Sequence, residues 1–285
     1  RECAARVVFR DRDKLAPGET ALAELRFKEP MVGVFGDHCV LRAYSPLRTV
    51  AGGLLVSPLP PELRAKDPEL ADKLSLLQSL PELRDAAEAL GGGKAEAKAR
   101  EEARAQLVRG ALTLRGAEGA DEARLRALTG MARAAVEAAL QLLSTRGEAL
   151  CWDKEGRAWI AKLPFEKLLA ACLERGAELH RREPLKPGFT RGALCTGWSR
   201  NLPPKLVQKV LDQGIKQGQL VTEGEGLRLQ SHTVSLAADQ AGLRQKLLDA
   251  HASAGLTPPN AKDVLEELGV SVKEAAPVLR LLCES

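Results

Sequence analysis

Aromatic residues are scarce in this sequence, at 3% of its 285 residues. A core filled with large rings is therefore excluded, and the cores must be built from leucine, valine and alanine, which favours several small helical units. Long apolar runs are also missing: no run reaches eighteen residues, whereas a membrane-spanning helix needs about 20. The start of the sequence carries no signal-peptide pattern. We therefore expect a cytoplasmic protein without a membrane partner.

The sequence also lacks groups of metal-binding or catalytic side chains at the usual spacings. The six cysteines form no CxxC pair, and the four histidines share no ligand spacing with each other or with a cysteine. We therefore expect reduced, separate thiols and no metal site. No grouping of serine, histidine and acid, and no paired carboxylates, suggest a catalytic centre. The sequence predicts a chain with no enzymatic activity of its own.

One glycine-rich stretch superficially suggests a nucleotide site. Residues 91–94 read GGGK, but a phosphate-binding loop also requires a glycine at position 88 and serine or threonine at position 95. Glu88 and Ala95 stand there. We therefore interpret residues 91–102 as a flexible hinge that leads into a solvated helix.

The positive charge is concentrated in one part of the chain. The net charge is only +4, and basic residues clearly outnumber acidic ones only within residues 161–230. This charge distribution disfavours a chain that binds nucleic acid along its whole length. It is compatible with a single basic module that contacts RNA or DNA.

Residues 1–58 have the pattern of short β-strands. Apolar segments alternate with turns that contain glycine or proline, and this arrangement is typical of a small barrel or sandwich. The predicted strands lie within residues 5–11, 20–27, 31–35, 39–44, 48–50 and 54–56. The prolines at 58, 60 and 61 mark the end of this region.

The rest of the sequence is helical and repetitive. Residues 59–104 are predicted to be a helical linker or the start of a first repeat unit. From residue 105 a pattern recurs about every 70 residues. Each copy reads as a helix, a short extended segment, a short helix, a longer helix and a two-stranded hairpin. This order is typical of a winged helix, a relative of the helix-turn-helix.

The first copy spans residues 105–161. Its first helix is expected to end near Gly110, an extended segment follows at 112–114, and a short helix ends at Gly130. The longer helix has few side chains that could read bases, apart from Arg133 and Gln141, so a spacer is the favoured interpretation. Trp152 and Trp159, in the wing strands, are expected to pack in the core.

The second copy spans residues 162–235 and the third, truncated copy spans 236–285. In the third copy, Ser271 is the expected N-cap of a last helix, which Pro277 should kink or delay. Because the sequence opens inside a strand pattern and stops just after a helical one, we expect a fragment cut at both ends.

Several segments resemble one family. RTVAGG at 48–53, with HCVLRAYSP before it, resembles the closing strands of the third domain of elongation factor Tu, although Ala51 stands where relatives have glycine. LHRREPLKPGFTRGAL at 179–194 and GLTPPNAKDVLEELGVSVKEAAPVLRLL at 255–282 resemble the bacterial selenocysteine-specific elongation factor family. The resemblance covers nearly the whole chain and is weakest at 65–104.

The resemblance implies a function and a set of partners. Members of that family are GTPases that use GTP and Mg²⁺, and they carry selenocysteyl-tRNA to the ribosome at recoded UGA codons. Their last winged helix binds an mRNA hairpin, the selenocysteine insertion element. By this resemblance the chain holds part of a Tu-like β-barrel followed by tandem α+β winged helices, without the GTPase domain, and is a monomer.

Two groups of basic residues are candidates for RNA contact. By the resemblance, Arg42 and Arg48, with Lys28 as a weaker candidate, would face tRNA; alternatively they are charges that discourage strand-edge pairing. In the second winged helix, Lys205, Lys209 and Lys216 share a helix face that Asp212 interrupts, since eleven residues make about three turns. Nearby candidates are Arg181, Arg182, Lys186 and Arg191. Alternatively, this is an ordinary polar face opposite a core of Leu206, Val210 and Ile215.

Two other classes of protein remain open at this stage. Tandem winged helices also occur in regulators that bind DNA, although these helices are poor in base-reading residues. Winged helices can also serve as rigid adaptors between proteins, and the first copy fits that description.

Overall fold

The structure is a computed structural model, and it divides into two compact units, Arg1–Glu166 and Lys167–Ser285. The residues that it describes are 2–61, 63–64, 66–89, 93–183, 186–224, 226–232, 238–253, 259–268, 270, 275–276, 278–279 and 282–283.

The β-region of the first unit consists of two antiparallel hairpins. Strand β1 (Ala5–Val8) pairs with β2 (Glu24–Phe27), and β3 (His38–Arg42) pairs with β4 (Thr49–Leu54). Among the described residues these form two separate two-stranded sheets. The β character of the region is confirmed, whereas a closed barrel stays a prediction.

The strand predicted at 31–35 is wrong. The chain turns there: Asp37 accepts a hydrogen bond from the Val34 amide at 2.9 Å, and Gly36 has a φ of +92° that suits glycine. Phe35 instead carries its ring into a helical core and is 2% exposed.

Two long helices follow the β-region. Helix α1 (Leu70–Glu88) packs against α2 (Lys94–Arg115), which Gly93 caps. Their shared core also includes Phe35, together with Leu77, Leu80, Leu107 and Leu114. The β-region is therefore anchored on these helices by apolar contacts.

The extended segment predicted at 112–114 is also wrong, because α2 continues through it to Arg115. Gly110 does not end the helix. A Cβ at this position would lie 3.2 Å from a methyl carbon of Leu80 and 3.3 Å from one of Leu76, so glycine here allows α1 to approach closely.

The first winged-helix unit begins with α2 and continues through β5 (Ala120–Asp121), α3 (Glu122–Thr129), α4 (Arg133–Thr145), β6 (Ala149–Asp153) and β7 (Ala158–Ala161). The three strands form one sheet in the order β5-β7-β6. Asp121 caps α3 through the Arg124 amide, and Gly130 ends it in the left-handed conformation, as its position predicts. A buried aliphatic core lies between the helices and the sheet.

The second winged-helix unit repeats this order. It contains α5 (Lys162–Arg182), α6 (Arg191–Cys195), α7 (Pro204–Lys216), β8 (Leu220–Glu223) and β9 (Gly226–Leu229). A backbone bridge between Phe189 and Leu227 takes the place of the short third strand. The order of helices, short extended segment and wing is the one that the sequence predicts for each copy.

A third helical group closes the described chain. Helix α8 (Ala238–Ser253) packs with α9 (Ala261–Glu267), which begins at the N-cap Asn260. Ala275 and Val278 join their buried core. Ser271 and Pro277 lie outside the described residues. Within the described part of the chain, no helix is both long and apolar enough to span a bilayer.

Candidate nucleic-acid interface

Helix α7 presents three lysines on one face. Pro204 starts the helix in the position that proline favours, and Leu206 and Val210 are buried against the rest of the unit. Lys205 and Lys216 are exposed and Lys209 is half-buried. By helical geometry the three lysines lie on the side opposite the buried residues. We call them the α7 lysine face.

Arg191 lies beside α7. Its guanidinium donates to the side-chain oxygen of Gln208 at 3.2 Å, and the Gln208 amide donates to Asp212 at 2.6 Å. Gln208 thus engages both the arginine on α6 and the carboxylate that interrupts the lysine pattern. The structure therefore brings Arg191 next to α7, as the sequence suggests.

Arg181 and Arg182 lie at the C-terminal end of α5, close to carboxylate side chains. Arg182 pairs with Glu178 at 2.8 Å, and Arg175 pairs with the same carboxylate at 2.6 Å. These contacts lower the pKa of the Glu178 carboxyl, and the hydrogen bond from Arg175 is the largest cause. In the described chain no hydrogen bond or ion pair joins Arg181 or Arg182 to α7.

Lys186 lies next to the wing. Its ammonium group is 3.2 Å from the Glu183 carboxylate and 4.9 Å from the centre of the Phe189 ring. Phe189 is bridged to Leu227 in β9. Lys186 is therefore placed at the hairpin, and no contact among the described residues links it to the α7 lysine face.

Arg42 and Arg48 lie at the same end of the β3–β4 hairpin. Arg42 is the last residue of β3, and the Ala43 amide donates to the Arg48 carbonyl at 2.8 Å across the turn. Both side chains are exposed, and Glu2 lies 3.7 Å from Arg42. Lys28 lies apart from them, where its amide extends the β1–β2 pairing.

The corresponding face of the first winged helix is neutralised. Arg133 pairs with Glu137 along α4 at 2.8 Å, and Arg157 of the wing contacts both Glu122 and Glu137 at 2.9 Å. Arg157 makes these contacts from a backbone with φ +49°. The arginines of this unit therefore face carboxylates, which agrees with the spacer interpretation.

A histidine pair that the sequence did not reveal lies inside the second unit. His180 on α5 is stacked on His232, just after β9, with ring centres 3.6 Å apart. Burial, assisted by His232 and Arg228, lowers the pKa of His180 to about 4. Nothing in the spacing of these residues signals the contact. No group of three or more metal-binding side chains occurs within the described ranges.

These elements define a class of protein. Residues 173–229, which hold α7 and the wing, match the family described as "Elongation factor SelB, winged helix". The chain thus contains a winged-helix domain of the kind found in translation elongation factors.

A comparison over the whole chain is more specific. The sequence is 38% identical over 284 residues to the selenocysteine-specific elongation factor of Desulfomicrobium baculatum. The match covers 100% of this chain and 41% of the relative, in the relative's C-terminal part. The resemblance inferred from the sequence is confirmed, and a DNA-binding regulator is not favoured.

Proposed function

We propose that this chain is the RNA-binding arm of a selenocysteine-specific elongation factor, and that the α7 lysine face holds RNA phosphates. The observation that carries the proposal is the exposure of Lys205 and Lys216 on the third helix of a winged-helix unit, where nucleic-acid-binding members of this architecture make their contacts. Arg191, held beside this helix through Gln208, adds a fourth positive charge.

The other basic residues take supporting roles in this proposal. Arg42 and Arg48, at one hairpin end of a Tu-like barrel, contact the backbone of selenocysteyl-tRNA. Arg181, Arg182 and Lys186 add positive charge at the edges of the second winged helix. Such contacts position an RNA without reading its sequence.

The proposal also assigns a domain to each part of the chain. Residues 1–58 form the end of the barrel, 59–104 connect it, and 105–161, 162–235 and 236–285 are successive winged helices. The partners of the complete factor are selenocysteyl-tRNA, the ribosome and an mRNA hairpin, and GTP and Mg²⁺ bind outside this chain. The chain itself is a cytoplasmic monomer without enzymatic activity.

The proposed mechanism is the coupling of two RNAs through one polypeptide. A factor that binds tRNA at its barrel and mRNA through its arm raises the effective concentration of that tRNA near the recoded codon. Phe35 joins the β-region to α1 and α2 in one apolar core, and the β-region and the first winged helix belong to the same compact unit.

The test compares RNA binding by two triple variants of the 285-residue chain at several salt concentrations. Lys205, Lys209 and Lys216 are changed to glutamine in one variant. In the control, Lys66, Lys94 and Lys98, which are exposed in the first unit, are changed in the same way. The slope of log K against log salt is negative, and each lost phosphate contact reduces its magnitude by about 0.7. We therefore expect the magnitude to fall by about 2 for the α7 variant and to stay unchanged for the control.

Two results would contradict the proposal. Equal salt slopes for both triple variants would exclude the α7 lysine face as the binding surface. Tighter binding of duplex DNA than of tRNA or an mRNA hairpin would instead favour a DNA-binding regulator. The measurement needs fluorescence anisotropy with labelled tRNA, hairpin and duplex DNA.

A further inference from the structure

A cleft of about 280 Å³ lies in the second unit, between α5 and the segment that follows α6. Trp198 and Thr196 line it on one side, and Glu174, Arg175, Glu178 and Arg181 of α5 line it on the other. None of these residues belongs to the α7 lysine face. The cleft combines an indole with charged donors and an acceptor, in a protein that has only three tryptophans.

Trp198 is held in a fixed position. Its indole N–H donates to the Leu194 carbonyl at 2.8 Å, and the side chain is half-buried. Because this only polar atom of the indole is already satisfied, what Trp198 offers a ligand is the apolar surface of its ring. Thr196 is likewise fixed, since its hydroxyl donates to the Gly192 carbonyl at 3.0 Å.

The opposite wall carries donors and an acceptor that are not saturated. The Nε of Arg175 is buried and has no hydrogen-bond partner, although its Nη1 donates to Glu178 at 2.6 Å. Arg181 and Glu174 are both exposed on the same helix. The groups open to a ligand on this wall are therefore the Arg181 guanidinium and the Glu174 carboxylate.

The chemistry of these walls suits a nucleobase. An unpaired base has an aromatic face, donors and acceptors on its edge, and a phosphate at its side. Proteins bind such bases by stacking on aromatic or arginine side chains and by hydrogen bonds to the base edge. An apolar peptide side chain would offer no partner to the exposed Arg181 and Glu174.

The position of the cleft connects it to the α7 lysine face. Helix α6 has Arg191 at its first residue, beside α7, and Trp198 follows shortly after its last residue, Cys195. Five helical residues span roughly 7.5 Å. One short helix therefore joins the arginine beside α7 to the segment that lines the cleft.

We propose that this cleft, which we call the Trp198 cleft, binds one unpaired RNA base, stacked on Trp198, with the adjacent phosphate on Arg181. The proposal rests on the proposed function in that the RNA is the one held by α7. It adds that the second winged helix distinguishes single-stranded RNA, such as a loop or bulge, from a continuous duplex.

The first experiment uses tryptophan fluorescence. In the 285-residue chain with Trp152→Phe and Trp159→Phe, Trp198 is the sole tryptophan and can be excited selectively over Tyr44. We expect a 12-nucleotide single-stranded RNA to quench this emission and its blunt duplex to leave it unchanged, because stacking requires an exposed base face. Equal quenching by both RNAs, or quenching by neither, would overturn the proposal.

The second experiment measures affinity for the same single strand. Trp198→Ala should weaken binding about tenfold, given the usual contribution of one stacked base, whereas Trp198→Phe keeps a ring and should lose less. Arg181→Gln should weaken binding, while Arg200→Gln, an exposed change near the cleft but outside its lining, should not. If Trp198→Ala and Arg181→Gln bind like the unmodified chain, the cleft does not hold a base.

The two proposals fail in different ways. If the α7 triple variant loses binding but Trp198→Ala and Arg181→Gln do not, the lysine face stands and the Trp198 cleft is wrong. If the cleft variants lose binding and the α7 triple variant does not, the cleft stands and the proposed phosphate surface is wrong. Because Arg181→Gln changes an exposed side chain, its result does not depend on whether Trp198→Ala folds.

Discussion

His180 and His232 lie face to face, with ring centres 3.6 Å apart and 19° between their planes. His180 also accepts a hydrogen bond from the Leu229 amide at 3.3 Å and meets the Phe189 ring edge-on. One nitrogen of each imidazole is buried without a partner. The pair therefore packs α5 against the end of the wing, and burial there lowers the pKa of His180.

This packing makes the second unit sensitive to acid. Burial first, and then the neighbouring His232 and Arg228, lower the pKa of His180 to about 4, whereas an unfolded histidine has a pKa of about 6.5. Between these values the unfolded chain binds more protons than the folded one, so stability falls as the pH falls from about 6.5 to about 4. Above pH 6.5 this contribution to stability is fully present.

The measurement is urea denaturation of the second unit between pH 7.5 and 4.5, followed through Trp198 in the chain with Trp152→Phe and Trp159→Phe. His180→Gln keeps an acceptor near the Leu229 amide but cannot titrate, so it should flatten the dependence of the free energy of unfolding on pH. His38→Gln, on an exposed position of β3, is the control and should leave the dependence unchanged. An unaltered slope in His180→Gln would show that this histidine is not the source.

The winged-helix units could be predicted because their signals are local. Asp121 caps the helix that follows it, and Gly130 ends that helix with a positive φ. In the wing turn, Asp153 accepts a hydrogen bond from the Glu155 amide at 3.2 Å. The segment 112–114 could not be predicted in this way. Glycine is common at helix ends, so the sequence predicts that the helix ends at Gly110. In the structure Gly110 instead lies against Leu76 and Leu80 of α1, and α2 continues past it.

The candidate RNA-binding residues could likewise be predicted only where their pattern is local. The spacing of Lys205, Lys209 and Lys216 is a property of one helix, and the sequence alone places them on one face. The pairing of Arg182 with Glu178 was also within reach, because the two residues have the i, i+4 spacing of a helical ion pair. The histidine stack and the Trp198 cleft join residues from separate elements, and no local pattern encodes them.

The packing of Phe35 between the β-region and helices α1 and α2 gives a second prediction. Phe35 is 2% exposed, its ring lies 5.7 Å below the Arg84 guanidinium, and it packs with Leu77 and Leu80. Removing a buried phenylalanine side chain typically costs about 3–5 kcal/mol, because apolar contacts are lost and a cavity remains. We expect Phe35→Ala to destabilise the first unit by about that amount.

A matched control separates this packing from a general effect of losing a ring. Phe27, the last residue of β2, is 41% exposed, so Phe27→Ala should cost less than half as much. Denaturation of each variant can be followed through Trp152 and Trp159 with Trp198 replaced by phenylalanine. Similar losses for both variants would mean that Phe35 does not anchor the β-region.

Two glycines before β5 give a third prediction, because they share a backbone requirement but differ in their surroundings. Gly116 and Gly119 have φ values of +57° and +61°, so alanine at either position forces a strained conformation that costs about 1–3 kcal/mol. A Cβ at Gly119 would in addition lie 2.2 Å from the carbonyl oxygen of Trp159, whereas nothing lies within 4 Å at Gly116. A collision with backbone cannot be relieved by a side-chain rotation.

We therefore expect Gly119→Ala to destabilise the first unit by about 1–3 kcal/mol more than Gly116→Ala, which is the usual cost of overpacking. The relevant measurement is the difference between the two free energies of unfolding in urea, since the shared backbone strain cancels in that difference. Gly119→Ala should also change the emission of Trp159, because β5 pairs with β7 at that residue. Equal destabilisation by the two variants would show that β5 does not approach β7 as closely as the Trp159 carbonyl requires.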